Sequence, residues 1–176
     1  MIVLHTERLR LRHMTPDDAA FMLGLLNDPA WHRYIGDRGI RTIDAAREHI
    51  INGSMAMVAR LGFGFYLVER KEDGRPIGIC GLAKRDFLDD VDIGYAFLPQ
   101  YGGQGYAFEA AQGVLAHARA LGLTRLVATV VPENAASIRL LEKLGLRFER
   151  SFQAPDSERA LQLFGMELDA PTKTAA

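Results

Sequence analysis

The glycine-rich segment Gly102-Gly103-Gln104-Gly105 is the part of the sequence whose composition most clearly suggests chemistry. Successive glycines just before a helix expose backbone N–H groups at the positive end of the helix dipole, and this arrangement binds phosphate. A P-loop requires Gly-Lys-Ser/Thr, and no lysine follows these glycines; a dinucleotide-binding fingerprint requires a small residue where Phe108 stands. Both of those sites are therefore excluded. A phosphate site of another class and a helix-opening loop without a ligand both stay open on this segment alone.

Cysteine and histidine, two other residue types that commonly do chemistry, indicate no further site. Cys80 is the only cysteine, so it can form no internal disulfide and no cysteine-based zinc site. It stands in the apolar run 77–80 with no histidine nearby in the sequence to activate it, and we interpret it as a buried, unreactive thiol rather than a nucleophile. The histidines show no metal-ligand spacing, so no metal site is predicted.

The length and composition are those of one ordinary globular domain. The chain has 176 residues, of which 48% are hydrophobic and 24% charged, and its formal net charge is −1. This size and balance predict a single domain over residues 1–168, followed by a mobile tail over 169–176 without core residues. The near-neutral charge argues against nucleic acid or an anionic membrane surface as a partner. Because the N-terminus turns charged too soon for a signal peptide and no apolar run could span a membrane, we expect a cytoplasmic protein.

The N-terminal third of the chain predicts one strand and two helices. Alternation of apolar and charged residues over 6–12 indicates a half-buried strand. A threonine cap, a proline and two aspartates predict a helix that begins at Thr15, and this helix should end before Pro29. A second helix is predicted over 42–53. The aromatic segment 31–36 between the two helices is predicted to be a loop.

From residue 63 onward the pattern changes to strands joined by polar turns, and then to alternating helices and strands. The polar turn 71–75 contains Asp-Gly, a strong β-hairpin signal, and the first three strands are expected to be antiparallel. The strand–helix–strand order over 91–131 implies a parallel pair joined by a right-handed crossover. The predicted strands are 63–69, 76–82, 91–97, 125–131, 147–153 and 160–168, and the predicted helices are 106–121 and 134–144. This order is that of an α+β domain with a mixed sheet.

Three segments of the chain resemble one known superfamily. The run 103–110, Gly-Gln-Gly-Tyr-Ala-Phe-Glu-Ala, resembles the acetyl-CoA loop of the GNAT N-acetyltransferases. The run 134–146, with its Asn, its Ser and the ending Leu-Glu-Lys-Leu-Gly-Leu, resembles a later helix of that superfamily. The opening 6–12 is similar to the branch that contains the ribosomal-protein-alanine N-acetyltransferases. The resemblance covers most of the chain and implies the GNAT fold, a mixed, mostly antiparallel sheet of about seven strands flanked by about four helices.

The resemblance also implies how the chain would hold acetyl-CoA. Members of the superfamily bind the pyrophosphate of the coenzyme on backbone amides of the glycine loop. The pantetheine arm runs along the end of the central strand, and an asparagine at the end of the next strand contacts the coenzyme. The residues that match these positions are Phe97, Leu98, Gly103, Gln104, Gly105, Tyr106, Ala107 and Asn134.

Acetyl transfer further requires a neutral amine and a proton for the departing thiolate. Asp92 is the first candidate for the base or amine anchor, because several members of the superfamily place a catalytic glutamate on this strand; the alternative is a solvent-facing aspartate. Glu109 is the second candidate, although a carboxylate in a first helical turn is usually a dipole partner. For the proton donor, Ser137 matches a serine of the ribosomal-protein branch, and a capping role for Ser137 or a donor water is the alternative. The tyrosine that many members use is absent, since Leu141 stands at its position.

The reaction that the resemblance implies is transfer of an acetyl group from acetyl-CoA to a primary amine, by direct attack in a ternary complex. An α-amine, with a pKa of about 7.7–8.0, is roughly 10% neutral at pH 7, whereas lysine at about 10.4 is neutral only to a few parts in ten thousand. A protein N-terminus therefore needs a weaker base than a lysine side chain does. A small-molecule acceptor (an amino acid, polyamine or antibiotic) and a non-catalytic acyl-CoA-binding protein are the alternatives. Trp31 and Tyr34 are predicted to contact the acceptor, and we expect a monomer or a homodimer.

Overall fold

One mixed sheet of eight strands is the scaffold of the computed structural model, which describes residues 1–155 and 157–169. The strands are β1 (Ile2–His5), β2 (Leu9–His13), β3 (Phe65–Arg70), β4 (Pro76–Ala83), β5 (Asp92–Phe97), β6 (Arg125–Val130), β7 (Arg147–Gln153) and β8 (Ala160–Glu167). They lie in the order β1-β2-β3-β4-β5-β6-β8-β7. All neighbours are antiparallel except β5 and β6, which are parallel.

Five helices flank the sheet within the described part of the chain. They are α1 (Ala19–Leu26), α2 (Pro29–Tyr34), a continuous helix made of α3 (Ile43–Ile50), the π-helical segment Ile51–Met55 and α4 (Ala56–Leu61), and then α5 (Tyr106–Ala120) and α6 (Ala135–Leu144). Short 3₁₀ turns precede α1 at Pro16–Asp18 and follow β5 at Pro99–Tyr101. Helix α5 is the crossover that joins the parallel strands β5 and β6.

The sheet is packed on both faces, because successive side chains of a strand point to opposite sides. Tyr66 and Val68 of β3 belong to the apolar core that contains α5 and α6, whereas Leu67 belongs to the core that contains α1, α2 and α3. Cys80 is fully buried in the first of these cores, and burial raises the pKa of its thiol. The predicted burial of this cysteine is confirmed, and its raised pKa disfavours the thiolate that would make it reactive.

The predicted α+β class, the hairpin and the parallel pair are confirmed, and the number of strands is one higher than predicted. The additional strand is β1, which is short and exposed at both ends, so that no alternation of apolar and polar residues marks it. The strand predicted over 6–12 begins only at Leu9. Residues 6–8 instead form the β1–β2 turn, which is closed by a hydrogen bond from the Thr6 N–H to the Leu9 C=O at 2.9 Å.

The prediction of a loop over 31–36 was wrong for most of that segment. Pro29 not only follows the end of α1 but also stands at the first position of α2, where its missing N–H costs nothing. The Asp28 carboxylate caps the new helix by accepting a hydrogen bond from the Ala30 N–H at 3.0 Å. Trp31 therefore lies on a helix.

The predicted end of the next helix at Gly53 was also wrong. The chain stays helical through the π-helical segment and α4, and it ends at Gly62, whose φ of +83° is left-handed. A glycine inside a helix costs only about 1 kcal/mol relative to alanine. Burial of Ile50 and Ala46, which are 1% and 0% exposed, offsets a cost of that size.

Several predictions concern absences or segments at the end of the chain. Over residues 1–155 and 157–169, no helix is long and apolar enough to cross a membrane. The same ranges contain no group of three or more His, Cys, Asp or Glu side chains that could hold a metal ion. The predicted tail over 169–176 lies, except for Asp169, outside the described residues, and the single domain over 1–168 stays a prediction.

Candidate active site

The parallel strands β5 and β6 pair at one position only. Asp92 is the partner of Val127, and the Val127 N–H donates to the Val91 C=O at 3.0 Å. On its other side β5 is paired with β4 along its whole length. Beyond Asp92 the strands form a cleft, and in the part of the chain that the structure describes no strand pairs with this edge of β5. An open edge of this kind can hold an extended ligand through strand-like hydrogen bonds.

A glycine turn follows β5 at the open end of the cleft. After the 3₁₀ turn, the chain passes through Gly103 and Gly105, whose φ angles are +71° and +81°. Residues with a Cβ rarely adopt this left-handed conformation, so both positions favour glycine. Gly105 immediately precedes α5, and no side chain caps that end of the helix. The first N–H groups of α5 are therefore available to an acceptor from outside the helix.

The carboxylate of Glu109, in the first turn of α5, ties this helix to the β1–β2 turn. Its Oε1 accepts hydrogen bonds from the Thr6 hydroxyl at 2.6 Å and the Arg8 N–H at 2.7 Å, and its Oε2 accepts one from Arg8 Nε at 2.7 Å. Arg8 extends the link, because its Nη1 donates to the Gln104 C=O at 2.9 Å and its guanidinium lies 4.3 Å from the centre of the Tyr106 ring. One arginine–carboxylate pair thus holds the glycine turn against the sheet.

The charge of Glu109 is fully engaged by these contacts. Burial alone would raise the pKa of this carboxyl, but the hydrogen bonds from Thr6 and Arg8 outweigh burial and lower the pKa. Glu109 is therefore an anion at neutral pH, paired with an arginine at the positive end of a helix. This environment favours the dipole-partner interpretation of Glu109 over a role as base.

Tyr95 of β5 and Ser137 of α6 are joined across the cleft. The Tyr95 hydroxyl lies 2.8 Å from Ser137 Oγ and 3.3 Å from the Ser137 C=O. The cap of α6 is Asn134, whose side-chain oxygen accepts a hydrogen bond from the Ser137 N–H at 3.2 Å. The predicted site residues Asn134 and Ser137 are thus in contact, and the capping role belongs to Asn134 rather than to Ser137. Leu141, at the position where the resemblance implies a missing tyrosine, is 1% exposed and belongs to the core.

Tyr95 is not among the site residues predicted from the sequence. Its hydrogen-bond partner lies 42 residues further along the chain, and no spacing pattern within one sequence relates such positions. The period of two along β5 puts Tyr95 on the same side of the strand as Phe97, a predicted coenzyme contact. That alternation is the signal that could have identified it.

Asp92 lies at the closed end of the cleft. Its side chain is 3% exposed, and both of its carboxylate oxygens lie 3.2 Å from the donor Arg85 Nε. Burial raises the pKa of this carboxyl, and the Arg85 guanidinium opposes the shift. The alternative of a solvent-facing aspartate is therefore wrong. The length of β5, about 16 Å from Asp92 to Phe97, separates the carboxylate from the glycine turn, so the structure does not bring these two predicted features together.

Similarity to known proteins identifies the family. A family model described as an acetyltransferase (GNAT) domain matches residues 8–147. The chain is also 31% identical over 149 residues to YoaA, an uncharacterized N-acetyltransferase of Bacillus subtilis (strain 168), and the match covers 84% of each chain. The chain belongs to the GNAT acetyltransferase family. The predicted superfamily and enzyme class are confirmed, and enzymes of this family use acetyl-CoA.

Solved structures show the same fold. The crystal structure of a GNAT-family acetyltransferase from Bacillus anthracis has a TM-score of 0.78 and 26% identity, over 95% of this chain and 98% of that chain. RimL, a ribosomal L7/L12 α-N-protein acetyltransferase in complex with coenzyme A, has a TM-score of 0.84 and 18% identity, over 97% of this chain and 100% of RimL. The GNAT fold is thus confirmed.

The two predicted acceptor contacts of this acetyltransferase lie three residues apart on α2. Trp31 is 9% exposed and packs in the core of α1 and α3, against which Leu98 at the end of β5 also packs. Its indole Nε1 is buried, and no residue of the described chain accepts a hydrogen bond from it. Tyr34 is half-buried, with the Arg33 guanidinium 5.0 Å from the centre of its ring. Trp31 is part of a core, and contact of either residue with an acceptor stays a prediction.

Glu109→Gln should make the protein less stable at neutral pH and flatten the acid end of its stability profile. Because the folded-state pKa of Glu109 is lowered, its ionised form contributes stability above the ordinary value of 4.5, and this contribution is lost as the pH falls through the folded-state pKa. We expect the variant to lose about 1–2 kcal/mol at pH 7. The free energy of unfolding in urea, measured at pH 7 and at pH 3, tests this expectation.

Glu48→Gln is the matched control, because Glu48 is exposed on α3 and no cation of the described chain forms an ion pair with it. Both substitutions remove one charge and keep the length of the side chain. The difference between Glu109→Gln and wild type should shrink toward pH 3. A Glu109→Gln variant that matches wild type at pH 7 would contradict the anchoring role.

Proposed function

We propose that this acetyltransferase transfers the acetyl group of acetyl-CoA directly to a primary amine, in a complex that holds both substrates. The observation that carries the proposal is the cleft between β5 and β6. It has the glycine turn at its open end, Asp92 at its closed end and Ser137 on its α6 wall. These are the three requirements of the reaction, namely a place for the coenzyme, a base and a donor to the leaving group.

The glycine turn fits the pyrophosphate of the coenzyme. A Cβ placed on Gly103 would meet nothing within 4 Å, so the space beside this residue is open. The 15-residue helix α5 begins behind the turn without a side-chain cap, and its positive end favours an anion. The backbone N–H groups that we propose for phosphate binding are those of Gly103, Gln104, Gly105, Tyr106 and Ala107.

The open edge of β5 fits the pantetheine arm, whose amide groups can pair with a strand. We propose that the arm binds along Phe97 and Leu98, with Asn134 on the opposite wall, since Asn134 follows the end of β6. An arm that lies along this edge runs from the glycine turn toward Asp92. The thioester at its tip then enters the narrow part of the cleft, away from the phosphates.

The polar residues of the cleft lie on opposite faces of the sheet, so that one of them can act on the attacking nitrogen and the other on the departing sulfur. The period of two places Asp92 on the same face as Ala96, toward the core of α1–α3, and Tyr95 and its partner Ser137 on the face of α5 and α6. The amine nitrogen attacks the thioester carbonyl carbon, the C–S bond breaks, and the sulfur leaves as a thiolate. Asp92 accepts the proton that the nitrogen loses, and Ser137 donates a hydrogen bond to the sulfur.

We further propose that the acceptor is a protein N-terminus. RimL, whose fold this chain shares, is an α-N-protein acetyltransferase. An α-amine is already partly neutral at pH 7, so it needs a weaker base than a lysine side chain does. An acceptor of this class therefore matches the base that the cleft offers.

Calorimetric titration with coenzyme A, followed by a thiol-release assay, tests the proposed function. We expect binding, and release with peptides that carry a free α-amine at rates well above those of Nα-acetylated, lysine-containing peptides. Release with small amines alone would replace the proposed acceptor class. Binding without release from any amine would favour an acyl-CoA-binding protein without turnover, and the absence of binding would contradict the assignment of the glycine turn.

Gly105→Val should weaken coenzyme binding by at least about tenfold, because a β-branched side chain would stand where phosphate approaches the backbone. The added Cβ would also come within 3.3 Å of Arg8 Nη2. Gly122→Val is the matched control. Gly122 lies at the other end of α5 with a φ of +84°, against +81° at Gly105, so the two variants carry similar backbone strain. Calorimetric Kd values should change only for Gly105→Val, and equal losses in both variants would assign the effect to strain.

Asp92→Asn should slow acetyl transfer most at low pH. A base acts only when ionised, and burial raises the pKa of Asp92, so the acid limb of the wild-type pH–rate profile should report this residue. In the variant the ionisation of the amine alone sets the acid limb of the profile. The small fraction of neutral amine at low pH then limits the rate, because no base assists the loss of its proton. Asp90→Asn is the control, since Asp90 also pairs with an arginine, Arg125 Nε at 3.1 Å. An Asp92→Asn profile that parallels wild type would remove Asp92 from the mechanism.

A further inference from the structure

The contact between Tyr95 and Ser137 is placed where the sheet is open. The last paired residue of β5 on the cleft side is Asp92, and Tyr95 follows three positions later. At this level the hydroxyl of Tyr95 reaches α6 instead of β6, and it contacts both the Oγ and the C=O of Ser137. The tyrosine therefore links the two walls of the cleft at a level where backbone pairing no longer does so.

The Tyr95 hydroxyl has one proton to donate, and two acceptors of Ser137 lie within reach. The Oγ at 2.8 Å is nearer than the C=O at 3.3 Å, and in the shorter contact either hydroxyl can be the donor. Burial raises the pKa of Tyr95, although the hydrogen bond with Ser137 acts against the shift, and the phenol keeps its proton throughout the neutral range. A negative charge on the coenzyme sulfur favours the arrangement in which Tyr95 donates to Ser137 Oγ, because the Ser137 proton can then point at that charge. The hydroxyl proton of Ser137 is then directed to a different acceptor.

We propose that Tyr95 is a positioning residue, which turns the hydroxyl proton of Ser137 toward the sulfur of the bound coenzyme. The inference rests on the proposed acetyl transfer and on Ser137 as the donor to the leaving group. Tyr95 acts through Ser137 and does not itself touch the substrate. Helix α6 itself offers no phenol for this purpose, because it contains no tyrosine and Leu141 stands at the position where the resemblance implies one.

The hydrogen bond from Ser137 to the sulfur stabilises the leaving thiolate, and the site neither gains nor loses a proton over the whole reaction. When the C–S bond breaks, the bonding electron pair stays on the sulfur, and the Ser137 hydroxyl stabilises the resulting thiolate while keeping its own proton. The amine proton passes to Asp92 and then to solvent. The released thiolate takes up one proton from solvent, so that one proton is lost by the amine and one is gained by the coenzyme.

A double-mutant cycle with Tyr95→Phe and Ser137→Ala tests the inference, because the first removes only a hydroxyl and the second removes the donor. Losing a hydrogen bond to a developing charge should lower kcat by about 10–100-fold in Ser137→Ala, and misdirecting it should lower kcat by about five- to tenfold in Tyr95→Phe. The double variant should be no slower than Ser137→Ala, since Tyr95 acts through Ser137. The KM for acetyl-CoA should stay within about twofold of wild type.

Tyr66→Phe is the matched control for these variants. Tyr66 lies in the same core, and its hydroxyl pairs with His117 Nε2 at 3.1 Å, so this variant also loses one buried tyrosine hydrogen bond. It should lose a similar amount of stability in urea and keep the wild-type kcat. A Tyr95→Phe variant that loses stability but keeps kcat would show a structural role only and would overturn the inference.

A binding measurement gives a second readout that does not depend on turnover. Coenzyme A and desulfo-coenzyme A are titrated over pH 7–10 and compared at the upper end of this range, because the alkyl thiol of the coenzyme ionises above the value of about 8.5 that holds for cysteine. Wild type and Tyr66→Phe should bind coenzyme A about tenfold more tightly than desulfo-coenzyme A. Tyr95→Phe and Ser137→Ala should lose this preference and keep their affinity for desulfo-coenzyme A.

The two readouts separate the inference from the proposed function. Effects of Tyr95→Phe and Ser137→Ala that multiply in the double variant would overturn the inference, as would a Tyr95→Phe variant that keeps the preference for coenzyme A. A wild-type protein that binds coenzyme A but releases no thiol would contradict the proposed transfer. In that case the preference for coenzyme A over its desulfo analogue still decides whether Tyr95 orients Ser137.

Discussion

The single bridge between β5 and β6 is the constraint on which the candidate site depends. Parallel strands need a long crossover, here α5, and that helix has to begin close to where β5 ends. If the two strands paired along their whole length, the polar groups of β5 would be used inside the sheet. Because they part after Asp92, an unpaired strand edge and an uncapped helix start face the same space. Backbone atoms therefore form most of the proposed coenzyme site, and few side chains are needed.

The charges around the start of α5 allow a carboxylate and a phosphate to share one helix end. Glu109 occupies the first turn, where the helix dipole favours it, but an isolated carboxylate there would repel an anionic ligand. Arg8 and Thr6 take up both of its oxygens, and Arg8 also holds the Gln104 C=O. The pair has no net charge, so the dipole and the backbone N–H groups remain for the ligand. The contact that shapes the turn thus adds no net negative charge beside the proposed phosphate site.

How far the molecule could be predicted from its sequence depended on whether a signal was local. The hairpin, the crossover and the helix after Asn134 each have a signal within a few residues, and these elements are confirmed. Strand β1 is too short and exposed to show alternation. Pro29 follows the end of α1 so closely that it indicates only a helix end in the sequence, although α2 begins at the same residue. The surroundings of Asp92 and of Tyr95 could not be predicted for another reason. The burial of the first beside an arginine and the contact of the second with α6 both arise from tertiary packing.

The position of Cys80 has a practical consequence for the study of this enzyme. The chain has one cysteine, and it lies in β4 directly opposite Tyr95, fully buried beneath α5. A cysteine introduced on the surface would thus be the one thiol open to a maleimide dye, without prior removal of the native residue. Pairs of such labels, one on α2 and one beside the glycine turn, would report by fluorescence energy transfer whether these two parts of the molecule approach each other when a ligand binds.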